Sequence, residues 1–247
     1  MHECYKKCKN KISIKLYNER EIKRKKLRHS ELFERYKLSY LHFIEHYYGT
    51  PASKLKMAKQ WFVVGISGAT CSGKSTLANK IHDYFPTSVL VCQDNYFLPP
   101  DDPRHVKIQE LNHLNWELST SLDMQKMYSD VIRILQSPEK NPTDSKTLLI
   151  LDGFLLFEHK AITDLCDCKY FLTLTKEQCW KRRKNRIYEP PDVPGYFDKI
   201  VWPEFVKYKN EIIQNNELYE TVTFIDGSKD MEEICEMVLK KIGQLLS

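Results

Sequence analysis

Residues 61–76 read Trp-Phe-Val-Val-Gly-Ile-Ser-Gly-Ala-Thr-Cys-Ser-Gly-Lys-Ser-Thr, an apolar run that passes straight into Gly68-x-x-x-x-Gly73-Lys74-Ser75. That is the spacing of a phosphate-binding loop, and it stands where its chemistry requires it, after a strand and before a helix. Gly68 and Gly73 let the backbone curl, so that the N–H groups of Ala69, Thr70, Cys71 and Ser72 point inward at one phosphate chain. A helix beginning near Lys74 adds its positive N-terminal end. Lys74 reaches toward the β- and γ-phosphates, Ser75 offers its hydroxyl to Mg²⁺, and Thr76 completes the segment. The chain is therefore expected to bind a nucleoside triphosphate. Where the γ-phosphoryl goes is decided elsewhere in the sequence.

Downstream, strands and helices alternate. The pattern predicts a strand over about 61–67 and a helix over about 74–85 stopped by Pro86. A strand at Ser88–Cys92, a long polar loop over about 97–120 and a helix over about 121–136 follow. Met124, Met127, Tyr128, Val131, Ile132 and Leu135 share one face of that helix. Pro138 and Pro142 mark a loop before a strand at Thr147–Leu151 that closes on Asp152-Gly153. A strand at Tyr170–Thr175 leads into a helix through about Arg186 and a Pro/Gly-rich stretch at 188–197. A helix over about 203–214, a strand over about 221–226 and a helix over about 230–246 complete the chain. Repeated βα units with near-continuous apolar strands imply a parallel sheet covered on both faces.

Charge divides the chain unevenly. Residues 1–60 hold 16 Lys/Arg and 6 Glu, a balance of +10, whereas 61–247 hold 22 Lys/Arg and 27 Asp/Glu, a balance of −5. The first 56 residues read as a basic, flexible or partly helical extension ending near Gly49-Thr50-Pro51, and 57–247 as the folded domain. Met57 offers an alternative start that would delete the arm. Cys4-x-x-x-Cys8 and His42-x-x-x-His46 are too far apart for a zinc finger. Lys and Arg interrupt every apolar run, so neither a secretory leader nor a membrane span is expected. Eight scattered cysteines beside a nucleotide site suit a reducing, cytoplasmic setting, which is compatible with nuclear presence too. A nucleic-acid partner is not expected, and a monomer is the simplest state.

Ligands of such sheets bind at the carboxyl ends of the strands, and three of these ends carry polar residues. Gln93-Asp94-Asn95-Tyr96-Phe97 follows the second strand. A carboxylate at Asp94 can accept a proton from a hydroxyl attacking the γ-phosphorus, or help to hold Mg²⁺; an Asx turn is the structural alternative. Tyr96 and Phe97 suit either a flat ring or the core. Leu-Leu-Ile-Leu-Asp152 is a hydrophobic strand closed by an acid near the metal. Lys181-Arg182-Arg183-Lys184-Asn185-Arg186 is either a solvated basic face or an arginine lid that closes over phosphates. Trp116-Glu117 pairs an aromatic ring with a carboxylate, a combination suited to a sugar diol.

Gly65–Thr76, Gln93–Phe97, Asp152-Gly-Phe-Leu-Leu-Phe157, Tyr170-Phe-Leu-Thr173 and Arg182-Arg-x-x-Arg-x-Tyr188-x-Pro-Pro-Asp-x-Pro-Gly-Tyr-Phe-Asp198, with Trp202-Pro203 after it, recur in order. Together they resemble the eukaryotic nicotinamide riboside kinases over about 61–240, but not over 1–60. The resemblance implies a three-layer α/β P-loop NTPase fold with a five-stranded parallel sheet, helices on both faces and an arginine-rich lid. It implies ATP- and Mg²⁺-dependent phosphorylation of the 5′-hydroxyl of nicotinamide riboside, or nicotinic acid riboside, for NAD synthesis. By motif, Gly68–Thr76 bind ATP; Ser75, Asp94 and Asp152 hold Mg²⁺; and Asp94, Lys74 and Arg183 are catalytic. Asp94–Phe97, Trp116, Glu117, Arg183, Tyr188 and Glu189 fall on substrate positions. Arg182, Arg186, Ile187, Tyr188 and Lys229, Asp230, Met231 fall on ATP positions. Asp152 stands where the family often has Glu, Glu117 where it has Asp, and Met231 where it has a polar residue. A uridine-kinase-like enzyme is the nearest alternative, and a non-catalytic ATP-binding protein using the basic arm is another. A GTPase is disfavoured because no Asn-Lys-x-Asp sequence occurs.

Overall fold

The computed structural model describes residues 61–137 and 146–246. The basic arm, the Cys4/Cys8 and His42/His46 pairs, Gly49-Thr50-Pro51, Met57, Pro138 and Pro142 lie outside the described residues. Five parallel strands form the main sheet: β1 (Trp61–Gly68), β2 (Val89–Cys92), β5 (Thr147–Asp152), β6 (Cys168–Thr173) and β7 (Val222–Asp226), in the order β2-β5-β1-β6-β7. All eight residues of β1 are buried, as a central strand covered on both faces requires. In edge strand β7 buried Val222 and Ile225 are interspersed with exposed positions.

Side-chain parity sorts the layers. Phe62, Val64 and Ile66 of β1 face one side, where they pack with Leu77 and Ile81 of α1 (Lys74–Tyr84) and Ile234, Val238 and Ile242 of α7 (Met231–Leu246). On the opposite face Phe171 of β6 stacks on Phe205 of α5 (Trp202–Gln214), centroids 6.1 Å apart, with Tyr208 at 5.7 Å. Buried Tyr208 donates to Ser67 or accepts from it at 3.4 Å and accepts the Phe157 N–H at 2.9 Å, tying that helix to the strand ends beneath the site.

Several boundaries differ from the sequence expectation. The second helix, α2 (Met124–Gln136), starts three residues later than 121, because the Asp123 carboxylate caps it by accepting the Lys126 N–H at 2.9 Å. The 97–120 stretch is not all loop. It contains a small antiparallel pair, β3 (Lys107–Ile108) and β4 (His113–Leu114). Two short helices that the periodicity did not reveal, α3 (Lys160–Thr163) and α6 (Asn216–Thr221), complete the connections. The strand expected at 170–175 is shifted to Cys168–Thr173, since Thr175 is already the cap of α4 (Lys176–Arg183). Thr175 and Gln178 form a reciprocal capping box there. That helix ends at Arg183, not near Arg186, because the chain must turn back to bring Tyr188 onto the phosphate loop. No described helix is long and apolar enough to cross a membrane.

Candidate active site

The strand ends converge on one cavity of about 540 Å³. Its phosphate end is the loop between β1 and α1. Gly68 has φ +130°, and a Cβ there would lie 2.1 Å from the Leu172 carbonyl oxygen of β6. The same carbonyl accepts the Ala69 N–H at 2.9 Å, so the loop is seated directly on the neighbouring strand. Cys71 is a non-glycine residue at φ +59°, a conformation that costs on the order of 1–3 kcal/mol and is characteristic of functional loops. Lys74 is buried, and its ammonium donates to the Ala69 carbonyl at 2.7 Å. Burial lowers its pKa, while Asp152 and Asp94 pull in the opposite direction. Ser75 and Thr76 are exposed on the first turn of α1.

Asp94 sits on a 3-10 turn, Gln93–Tyr96, at the end of β2, with its side chain exposed to the cavity. Asp152 at the end of β5 is 3% exposed, and burial raises its pKa against the pull of Ser75 and Lys74. Its Oδ1 is buried without a hydrogen-bond partner. An orphaned carboxylate oxygen beside the Ser75 hydroxyl fits Mg²⁺, which takes few protein ligands and completes its shell with phosphate oxygens and water. Among the described residues no cluster of three or more His, Cys, Asp or Glu is arranged to hold a metal by itself.

The acceptor end is aromatic and acidic. Phe97 stacks on Phe154 at 5.8 Å and meets Trp116 edge-on at 5.8 Å, which places Phe97 on the cavity wall, not in the core. Tyr196 accepts the Trp116 N–H at 2.9 Å and so holds the Trp116-Glu117 segment in place. Burial pushes the Glu117 carboxyl up to about 7, although the Arg183 guanidinium holds it down in part. Arg183 is 5% exposed; it forks onto Asp192 at 2.7 and 2.9 Å and donates to Thr70 Oγ1 at 3.0 Å. Its guanidinium lies 4.2 Å from the Tyr188 ring centroid. Tyr188 in turn lies 3.4 Å from Thr70 Oγ1 and 3.5 Å from Cys71 Sγ, so the lid touches the phosphate loop. Arg186 reaches the same sulfur at 3.9 Å.

Thus Thr70, Cys71, Lys74, Ser75, Asp94, Phe97, Trp116, Glu117, Asp152, Arg183, Arg186, Tyr188 and Glu189 share one cavity wall. Other expected site residues stand apart from it. Asn95 is exposed outside the lining, and the Tyr96 hydroxyl turns away to donate to Asp130 of α2 at 3.2 Å. The 3-10 turn Gln93–Tyr96 leaves Asp94 on the cavity face and carries these two side chains off it. Arg182 bridges the Cys71 and Gly227 carbonyls at 3.1 Å each. Ile187 is 99% exposed. Asp230 accepts the Glu232 N–H at 2.9 Å at the start of α7, while exposed Lys229 lies outside the lining. Met231 packs its methyl over Gly73, close to the loop. Sequence reading missed Phe154, Pro190, Asp192 and Tyr196 as site residues; all four lie inside quoted motif stretches, but nothing in the spacing singles them out.

No protein-family model matches the chain. Individual known proteins do. Nicotinamide riboside kinase 1 of Homo sapiens is 34% identical over 193 residues, covering 75% of this chain and 94% of that protein. Nicotinamide riboside kinase 2 of Homo sapiens is 38% identical over 194 residues, covering 74% and 82% respectively. A uridine kinase of Chlamydia pneumoniae is 27% identical over 198 residues, covering 68% and 87%. With a phosphate loop, a strand-end acid and an arginine lid around one nucleoside-sized cavity, this chain belongs to the nicotinamide riboside kinase family of P-loop nucleoside kinases.

Proposed function

We propose that the protein transfers the γ-phosphoryl group of ATP to the 5′-hydroxyl of nicotinamide riboside, and of nicotinic acid riboside, forming the mononucleotide for NAD synthesis. The observation that carries this reading is one shared cavity, whose lining brings together Lys74, Ser75, Asp94, Glu117 and the stacked Phe97–Phe154 pair. A volume of about 540 Å³ falls within the range for small-molecule sites.

The residues divide the work. The loop amides and Lys74 cradle the phosphates; Lys74 spends one N–H on Ala69 and keeps two for phosphate oxygen. Asp94 accepts the proton that leaves the attacking 5′-hydroxyl. Arg186 adds positive charge where the transferring group becomes more negative, and the lid excludes water. Glu117, ionised, accepts hydrogen bonds from the ribose 2′- and 3′-hydroxyls, and the aromatic wall covers the base. Mg²⁺, when bound, neutralises β- and γ-phosphate charge; Ser75, Asp152 and Asp94 would hold it. The cytoplasm, where free thiols persist, is the proposed location; all six described cysteines are free.

The test is mononucleotide formation from ATP with nicotinamide riboside, nicotinic acid riboside and uridine side by side. The expected result is a kcat/KM for the pyridine ribosides at least about 100-fold above that for uridine. The reverse order would make the protein a uridine kinase. A protein started at Met57 is expected to keep kcat and KM within about twofold, since the described site residues all lie beyond it; a loss above about tenfold would assign the arm to the kinase itself.

Glu117 supplies a pH signature. Only its carboxylate form accepts two hydroxyl protons, and its pKa is pushed up to about 7. Riboside KM is therefore expected to fall as pH rises through 7 and to level above it. Glu117→Gln, which cannot ionise, should show a flat profile and a KM raised about 10- to 100-fold. A wild-type KM that does not change between pH 6 and 8 would remove Glu117 from this role.

A further inference from the structure

We propose that Asp192 is a positioning residue: it holds the Arg183 guanidinium in a forked ion pair and so leaves the Glu117 carboxylate open to the acceptor's ribose hydroxyls. The inference rests on the diol-binding role given to Glu117 under Proposed function.

Arg183 stands between two carboxylates and is committed to one of them. Its Nε donates to Asp192 Oδ2 at 2.7 Å and its Nη2 to Asp192 Oδ1 at 2.9 Å. Glu117 Oε1 lies 3.5 Å from the same Nη2, at the limit of a hydrogen bond. Nη1 is taken by Thr70 Oγ1 at 3.0 Å, and the Tyr188 ring lies 4.2 Å away. The guanidinium is thus fixed on three sides, and at 5% exposure water does little to weaken the competition between the two acids.

Without the Asp192 charge, the nearest carboxylate to Arg183 is Glu117. A planar guanidinium forks onto a carboxylate in a two-pronged pair. That pair would occupy the Glu117 oxygens needed for the diol, and the acceptor would have to displace it.

Asp192 also acts on Glu117 through its charge. Arg183, Asp192, Lys74 and Glu204 bear on the Glu117 carboxyl, and the Tyr196 hydroxyl is coupled to it electrostatically. Arg183 and Lys74 favour its ionised form; Asp192 and Glu204 oppose it. Removing Asp192 while freeing Arg183 changes two of these influences in the same direction, toward a more acidic Glu117.

The experiment is steady-state kinetics on the full-length protein with nicotinamide riboside and its 2′-deoxy analogue, comparing wild type, Asp192→Asn and Asp192→Glu across pH 5.5–8.5. For Asp192→Asn, riboside KM is expected to rise about 10- to 100-fold, with kcat and the KM for ATP within about threefold. Its preference for the riboside over the 2′-deoxy analogue should largely disappear, and the pH midpoint of KM should move below 7. Asp192→Glu, which keeps the charge, should retain most of the wild-type preference. An unchanged KM and midpoint in Asp192→Asn, or an equal loss with both acceptors, would overturn the role of Asp192. If Asp192→Asn does not fold, loss of the riboside preference in folded Asp192→Glu overturns it instead. Wild type inert toward nicotinamide riboside but active on another ribonucleoside defeats only the named substrate, and the comparison is then run on that acceptor. A protein inert toward every ribonucleoside overturns both readings.

Discussion

Asp94→Ala is expected to lower kcat for riboside phosphorylation by about 10³-fold, within the range for loss of a positioned general base. Asp94 is placed at the end of β2 by a 3-10 turn and lines the same cavity as Lys74 and Ser75. The attacking 5′-hydroxyl must lose its proton as the bond to phosphorus forms, and Asp94 is the strand-end carboxylate exposed to the cavity. Asp152 is the poorer candidate because it is 3% exposed and the Ser75 hydroxyl lies beside it. On exposure Asp94 is the better placed of the two acids for the proposed base role. Asp94→Asn, nearly the same shape, should lose almost as much. ATP should still raise the Tm of both variants, because the loop and Lys74 are untouched. Single-turnover kinetics with saturating ATP would check the chemical step directly. A kcat within tenfold of wild type in Asp94→Asn would mean that the proton goes elsewhere.

Gly68→Ala is expected to destabilise the protein by about 3–5 kcal/mol and to abolish the ATP-induced rise in Tm. Two independent penalties meet at this position. The backbone has φ +130°, a region that L side chains rarely adopt. The new methyl would also sit 2.1 Å from the Leu172 carbonyl oxygen and 2.6 Å from the Leu172 nitrogen, both backbone atoms of β6. A flexible neighbour could move aside, but a strand cannot do so without breaking the β1–β6 ladder in which Gly68 pairs with Leu172. The Ala69 N–H bond to Leu172 would be lost with it, and the loop would lift off the sheet. For a domain of this size such a loss corresponds to a Tm lower by roughly 6–20 °C. Differential scanning calorimetry with and without ATP and Mg²⁺ would check both parts. A Tm within about 2 °C of wild type would show that the close approach at Gly68 can be relieved.

Most strands were legible because their information is local. The runs at 61–67 and 147–151 are apolar and buried on both faces, so composition alone marks them. The pair Lys107–Ile108 and His113–Leu114 was not legible, since two-residue strands carry no periodicity. The lid helix was read too long because Lys-Asn-Arg continues a helix-compatible composition past Arg183. The family resemblance implies that Asn95 and Tyr96 line the pocket with Asp94. Side-chain direction after a strand end depends on the turn that follows, and Gln93–Tyr96 turns them outward.

The sequence by itself determined the phosphate loop and the acids at the carboxyl ends of β2 and β5, Asp94 and Asp152. Loop shape depends on glycines five residues apart, and a strand delivers its last residue to the sheet's carboxyl edge whatever the rest of the chain does. Only the tertiary structure decided the partners of Arg183. A guanidinium will take any carboxylate within reach, and reach is set by how the lid folds back. Asp192 lies nine residues on from Arg183 and wins the fork, while Glu117, brought up from a different loop, stops at 3.5 Å.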